Sequence, residues 1–177
     1  VLNGDIFADI NYKELMETHI KTGALATLSL YQVEDPSRYG VAEITKSGRI
    51  TRFTEKPPKG TEPSNLINAG VYVLNPEVLQ LIPEGRAVSM EREIFPKLAA
   101  NGELFGHVVH GLWMDIGKPE EYLQTNRILL DTLTVKRERK MISRFELKDP
   151  IALDKGVSVA DGAVIGPYAV LGKNVAV

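Results

Sequence analysis

From residue 1 to 150 the apolar positions alternate between a period of two and a period near that of a helix, the pattern of strands and helices in turn. It predicts an α/β layer architecture, Rossmann-like, with a mixed, mostly parallel sheet and flanking helices. Val1-Leu2 reads as a short strand that ends in the turn Asn3-Gly4-Asp5. Tyr12 to Lys21 places Leu15, Met16, His19 and Ile20 on one helical face, and Gly23 ends it. A strand from Ala24 to Val33 follows, then Val41 to Thr45 and Ile50 to Thr54 as a hairpin through Lys46-Ser47-Gly48-Arg49. Beyond the loop from Pro57 to Pro63 come a strand at Leu66 to Leu74, a short helix opened by Pro76, and a helix from a Ser89 cap to Ala100. Leu104 to His110 alternates as a strand, and Pro119 to Leu133 is amphipathic.

The period changes after Pro150. Leu153, Val159, Ile165, Leu171 and Val177 fall at steps of six, each internal one followed by a Gly, a small or an acidic residue. This hexapeptide repeat predicts the first coils of a left-handed parallel β-helix. The expected division is therefore 1–150 for the α/β part and 151–177 for the coils. The basic run Lys136-Arg137-Glu138-Arg139-Lys140 between them reads as a solvated helix end or linker.

Composition narrows the classes of function. The 177 residues carry 21 Lys+Arg against 23 Asp+Glu, a net charge of −2, so no basic field exists to hold a nucleic acid. No apolar run reaches the roughly 20 residues of a membrane helix and no signal pattern opens the chain, so a soluble, cytoplasmic protein is expected. With no Cys, thiol chemistry and thiolate metal sites are excluded, and a metal must be held by oxygen or His. The chain starts at Val1 without Met and ends on an apolar run, so both ends are expected to be cuts in a longer chain.

Five places carry candidate chemistry. Asp5 lies where open α/β sheets bind ligands, although a turn aspartate serving local N–H groups is the plainer account. Asp115, in Trp113-Met114-Asp115-Ile116-Gly117, breaks an apolar strand where a lone buried carboxylate needs a partner or a cation. Two such strand-end carboxylates suit a hard cation such as Mg²⁺, which completes its shell with phosphate and water. In Phe53-Thr54-Glu55-Lys56-Pro57 the adjacent Glu55 and Lys56 point to opposite faces of a strand, so they need not pair and can address different parts of one ligand. A carboxylate accepts from hydroxyls and an ammonium is a point charge for phosphate. Asn68-Ala69-Gly70-Val71-Tyr72 and Arg38-Tyr39-Gly40-Val41 each place a Gly in a strand where a ligand can approach the backbone.

Taken in order, Leu2-Asn3-Gly4-Asp5, Arg38-Tyr39-Gly40-Val41, Phe53 to Pro57, Asn68 to Tyr72, Ser89-Met90-Glu91-Arg92-Glu93-Ile94-Phe95-Pro96 and Trp113 to Gly117 resemble the sugar-1-phosphate nucleotidyltransferases, most closely the mannose-1-phosphate guanylyltransferase branch. The resemblance covers nearly the whole chain. It implies that Asp5 and Asp115 coordinate a catalytic Mg²⁺, that Glu55, Asn68 and the backbone at Gly40 and Gly70 hold the sugar, and that Lys56 binds the sugar phosphate. The partners implied are a nucleoside triphosphate and a hexose 1-phosphate, with GTP and mannose 1-phosphate the first expectation and adenylyl, thymidylyl or uridylyl transfer to glucose 1-phosphate the alternative.

The family's glycine-rich triphosphate loop lies upstream of the Gly-Asp segment, and nothing like it occurs in these residues. The chain alone is therefore expected to be inactive, holding the sugar-phosphate and metal half of a site. Two other readings compete. A non-catalytic regulatory relative has no reason to keep Asp5, Glu55, Lys56 and Asp115 together, and a hexapeptide acyltransferase needs a His on the coils, whereas His19, His107 and His110 all precede them. Apolar coil surface favours a homo-oligomer.

Overall fold

The computed structural model describes residues 1–133 and 144–177. The Lys136 to Lys140 run lies outside the described residues. The described chain divides into two compact units, Val1–Met114 and Asp115–Val177, a different partition from the one read from the repeat pattern.

The first unit is built on a five-stranded sheet in the order β4-β3-β5-β2-β6, with β2 at Ala26–Gln32, β3 at Gly40–Ile44, β4 at Ile50–Glu55, β5 at Leu66–Leu74 and β6 at Leu104–Val108. The sheet is mixed, but its expected parallel majority is not found: β2 and β6 run parallel, while β2–β5, β3–β4 and β3–β5 are antiparallel. The reason is local. The connection from β3 to β4 is the turn Lys46 to Arg49, and a parallel pair needs a crossover of a dozen or more residues. Val1-Leu2 forms a single bridge with Val71, and the first strand proper, β1 (Ile6–Ala8), starts after the turn and pairs with β7 (Trp113–Asp115) in a small separate sheet. Asp5 thus sits in the turn before β1.

Helix α1 (Tyr12–Thr22) is capped by Asn11, whose side chain accepts from Glu14 N, and closed by Gly23 at φ 64°. Only half of its expected apolar face is covered: Leu15 and His19 are buried, whereas Met16 and Ile20 are 46% and 71% exposed. The buried stripe is narrow: on this helix only Leu15 and His19 are buried, while Thr18 reaches β6 by a hydrogen bond to His107. His19 is a packed residue; its Nε2 donates to Asn75 Oδ1 at 3.1 Å and its Nδ1 accepts from the Thr27 hydroxyl at 2.9 Å. His107 is hydrogen-bonded to Thr18 at 2.8 Å, and His110 is exposed.

A short 3₁₀ turn at Pro76–Leu81 follows β5. The expected helix from Ser89 is two pieces, a π-helical turn at Met90–Ile94 and α2 at Phe95–Asn101. Ser89 Oγ accepts from Arg92 N at 3.2 Å, while Glu93, one position later than in an ordinary capping box, reaches back to Ser89 N at 3.3 Å. On the sheet face beneath this turn, the fully buried Phe95 meets Phe53 edge-on at 5.6 Å and Tyr72 at 5.1 Å.

The second unit begins at Asp115 and contains α3 (Pro119–Leu133), followed by β8 (Glu146–Leu147), β9 (Ile151–Leu153), β10 (Val164–Ile165) and β11 (Ala169–Leu171). Its strands pair in parallel, Leu147 with Ile165 and Leu153 with Leu171, and Ser158 bridges Ala176 in the same sense. Within this unit Tyr168 faces α3, with the Arg127 guanidinium 5.6 Å from its ring centroid. No helix among the described residues is long and apolar enough to cross a membrane.

Phe95 is fully buried and ties Phe53 and Tyr72 into the core. Phe95→Ala is expected to cost about 3–5 kcal/mol, read as a lower urea midpoint with an unchanged slope.

Candidate functional site

Strand β5 carries an irregularity at its middle. Across β2, Leu28 pairs with Tyr72 and Leu30 with Asn68, so three residues of β5, Ala69 to Val71, face the single residue Ser29. This is a bulge, and Gly70 takes it at φ 76°. Every carbonyl the bulge turns away from β2 finds another donor. Ala69 O accepts from the Trp113 indole N–H at 3.0 Å, Gly70 O from Asn3 N at 2.8 Å, and Val71 O from the Ser29 hydroxyl at 3.0 Å. Gly70 N donates to Asn68 Oδ1 at 3.0 Å.

The bulge therefore holds three of the expected site elements. It docks Val1 to Asn3 alongside β5, through Asn3 N to Gly70 O and Tyr72 N to Val1 O at 2.9 Å, which places the Asn3-Gly4-Asp5 turn. It fixes the Asn68 carboxamide. It also anchors β7 through Trp113, which stacks on Tyr31 at 5.6 Å and meets Tyr39 edge-on at 5.4 Å. The missing side chain at Gly70 leaves room for Asn3, whose Nδ2 lies 2.9 Å from where a Cβ would stand. Gly40 does the same for another group: a Cβ there would meet Glu55 Oε2 at 2.6 Å and the Phe53 ring at 2.7 Å.

Glu55 and Gly40 are direct partners in the β3–β4 ladder. Burial pushes the Glu55 carboxyl above the usual carboxylate range, Lys56 opposes that rise, and Glu91 adds to it. The expectation that Glu55 and Lys56 point apart is corrected, since Lys56 Nζ lies 3.9 Å from Glu55 Oε1. Lys56 adopts φ 47°, which ends the alternation of the strand at this residue. An acceptor for hydroxyls and an ammonium thus stand together, the first largely covered and the second exposed.

Two residues passed over among the sequence candidates belong to this region. The Tyr72 hydroxyl accepts from Asn68 Nδ2 at 2.7 Å and donates to Glu91 Oε1 at 3.2 Å, and Glu91 Oε2 accepts from the Ser89 hydroxyl at 3.0 Å. Burial holds the phenol well above its ordinary range, countered by the bonds from Asn68 and Asn3. Tyr72 therefore stays neutral. A signal existed in the sequence: an Asn and a Tyr flanking a strand-interior Gly mark a bulge with polar groups on one side.

Asp5 is exposed in its turn, and Asp115, at the start of the second unit, is partly covered, with Oδ1 accepting from Gly117 N at 3.0 Å. Among the described residues no three His, Cys, Asp or Glu side chains gather as a metal cluster. Each of the two carboxylates, taken by itself, is an oxygen donor of the type a hard cation such as Mg²⁺ takes.

The model of the nucleotidyl transferase family matches residues 1–132. Mannose-1-phosphate guanylyltransferase 1 of Arabidopsis thaliana is 40% identical over 168 residues, 94% of this chain and 46% of that protein. Mannose-1-phosphate guanyltransferase of Yarrowia lipolytica is 41% identical over 148 residues, 82% of this chain and 40% of that protein. A solved structure from Bacillus anthracis, assigned as a glucose-1-phosphate thymidylyltransferase, shares the fold with a TM-score of 0.62 at 23% identity, over 72% of this chain and 52% of its own. The chain spans about half the length of the curated relatives it matches.

Two outcomes follow from the geometry. Gly70→Ala imposes a left-handed backbone on a residue with a Cβ and pushes on Asn3, and is expected to lower stability in urea by more than about 1 kcal/mol. Because the Glu55 pKa is raised on folding, the stability tied to this group is present below its ordinary value of 4.5 and is lost as pH rises through the folded value. Glu55→Gln is therefore expected to melt above the unaltered chain at pH 7 and level with it near pH 4, as followed by circular dichroism.

Proposed function

The chain belongs to the nucleotidyl transferase family, and from that premise we propose that the protein it forms part of transfers a nucleotidyl group from a nucleoside triphosphate to a hexose 1-phosphate, giving a nucleotide-sugar and pyrophosphate. One observation carries this reading: the covered Glu55 carboxylate with Lys56 Nζ 3.9 Å away, an acceptor for sugar hydroxyls beside a point charge for a phosphate. The names of the relatives support GTP and mannose 1-phosphate as the pair.

In this mechanism Glu55 and the remaining amide hydrogen of Asn68 orient the hexose, with the backbone at Gly40 and Gly70 beside them. Lys56 draws the sugar phosphate into place and offsets its charge. An oxygen of that phosphate attacks the α-phosphorus of the triphosphate; the new O–P bond forms as the α-phosphorus–oxygen bond to pyrophosphate breaks. Such a transfer asks for positioning and charge neutralisation, with no protein nucleophile. Asp5 and Asp115 each offer a hard oxygen ligand for Mg²⁺, which when bound neutralises charge on the reacting phosphates.

The same reading takes residues 151–177 as the first coils of a left-handed parallel β-helix. Its support is the constant offset between paired residues, 165 − 147, 171 − 153 and 176 − 158, each equal to 18, or three six-residue edges per coil. Ile165 is buried, while Val164 and Val170 face outward at 53% and 59% exposure, a surface suited to a homo-oligomer. A cytoplasmic location completes the proposal.

The full-length protein is expected to make nucleotide-sugar from one pairing in a panel of triphosphates and hexose 1-phosphates. Asp5→Asn and Asp115→Asn should each lower Mg²⁺-dependent turnover on the order of 10²-fold. Lys56→Ala should act mainly through the KM for the sugar phosphate. Pyrophosphate release measures all three, and unchanged turnover in both Asp variants would sink the assignment.

A further inference from the structure

Tyr72 joins three separate segments through one hydroxyl. The residue is 4% exposed, with its ring held edge-on by Phe95. A phenol has one proton to donate and lone pairs to accept with. Asn68 Nδ2 donates to the oxygen at 2.7 Å and the proton goes to Glu91 Oε1 at 3.2 Å, while the Asn3 side chain favours the ionised phenol weakly.

Each partner is fixed in turn. Asn68 Oδ1 accepts from Gly70 N, Asn3 N donates to Gly70 O, and Glu91 Oε2 accepts from Ser89. With the phenolic proton committed to Glu91, the Asn68 carboxamide cannot turn over. A flip sets its oxygen against the Tyr72 oxygen and its NH₂ against the Gly70 N–H, two like-with-like contacts in place of two hydrogen bonds.

We propose that Tyr72 is a positioning residue for the transfer, its hydroxyl fixing the direction in which Asn68 offers its second amide hydrogen to the hexose and registering the Asn3-Gly4-Asp5 turn. Glu91 sets the polarity of this hub from the far side by taking the proton. The hub rests on the function proposed above and deepens it: hexose recognition depends on an acid that need not touch the hexose.

Tyr72→Phe in the full-length protein removes one oxygen and keeps the ring. The KM for the hexose 1-phosphate is expected to rise about tenfold, with the KM for the triphosphate moving far less and the half-saturating Mg²⁺ concentration rising. The side-chain amide ¹⁵N–¹H signals of Asn3 and Asn68 should both shift. Glu91→Ala should reproduce these changes, and Glu91→Gln, which restores an acceptor, should recover most of the loss.

An active unaltered protein whose Tyr72→Phe variant melts lower but keeps both Michaelis constants and both amide signals overturns the hub and leaves the transferase reading standing. A loss spread equally over both substrates overturns the hub as well. No turnover by the unaltered full-length protein with any pairing overturns the transferase reading and the hub's role with it.

Discussion

The bulge at Gly70 is the constraint on which the polar region depends. Between Leu28 and Leu30 the ladder of β5 with β2 is interrupted, and Ala69 O, Gly70 O and Val71 O accept from the Trp113 indole, Asn3 N and the Ser29 hydroxyl. Three residues set against one break the ladder, and the buried backbone groups so released must be met elsewhere. They are met by the segment leading to Asp5, by the strand leading to Asp115, and by the side chain of Asn68. A local fault in hydrogen bonding thus becomes the point where distant parts of the sequence are tied to one strand.

The same economy of space operates at Gly40. The β3–β4 ladder brings Glu55 directly opposite it, and the absent Cβ lets the carboxylate fold inward over the strand. Covering a carboxylate raises its pKa, and the exposed Lys56 only partly reverses this. The outcome is an acid held at an energetic cost to the fold, the kind of local conflict that marks functional positions. In the proposed function, hydroxyl donors of the hexose would relieve it, which would turn a folding cost into recognition.

Much of this was legible in the sequence, and what was not has physical causes. Strand Leu66–Leu74 and the start of the helix at Pro119 fall where their periods and the opening Pro put them. Glu55, Lys56, Asn68, Gly40 and Gly70 could be marked because a polar residue or a Gly interrupts an apolar strand at each. The sense of the sheet was misjudged because the alternation of strands and helices says nothing about direction where the links are short. Met16 and Ile20 share the period of Leu15 and His19, and period alone does not say how wide a stripe the sheet will cover. Tyr72 and Glu91 were passed over because each has an ordinary local role, a strand aromatic and a first-turn acid. In the π turn at Met90–Ile94 Glu93 caps Ser89 N, while Glu91 accepts from the Tyr72 hydroxyl on β5.

The direction of proton donation around Tyr72 shows why such a hub suits hexose recognition better than a row of independent contacts. Sugar hydroxyls both donate and accept, so a site of freely rotating amides would bind several orientations almost equally. Here the burial that keeps the phenol neutral, together with the Glu91 acceptor, leaves one arrangement of donors and acceptors among Tyr72, Asn68 and Gly70. In the proposed function Asn68 would offer a donor where Glu55 offers an acceptor. Two fixed and opposite polarities would then distinguish one hexose orientation from its turned-over alternative, because the wrong one would leave a covered carboxylate or amide without its partner.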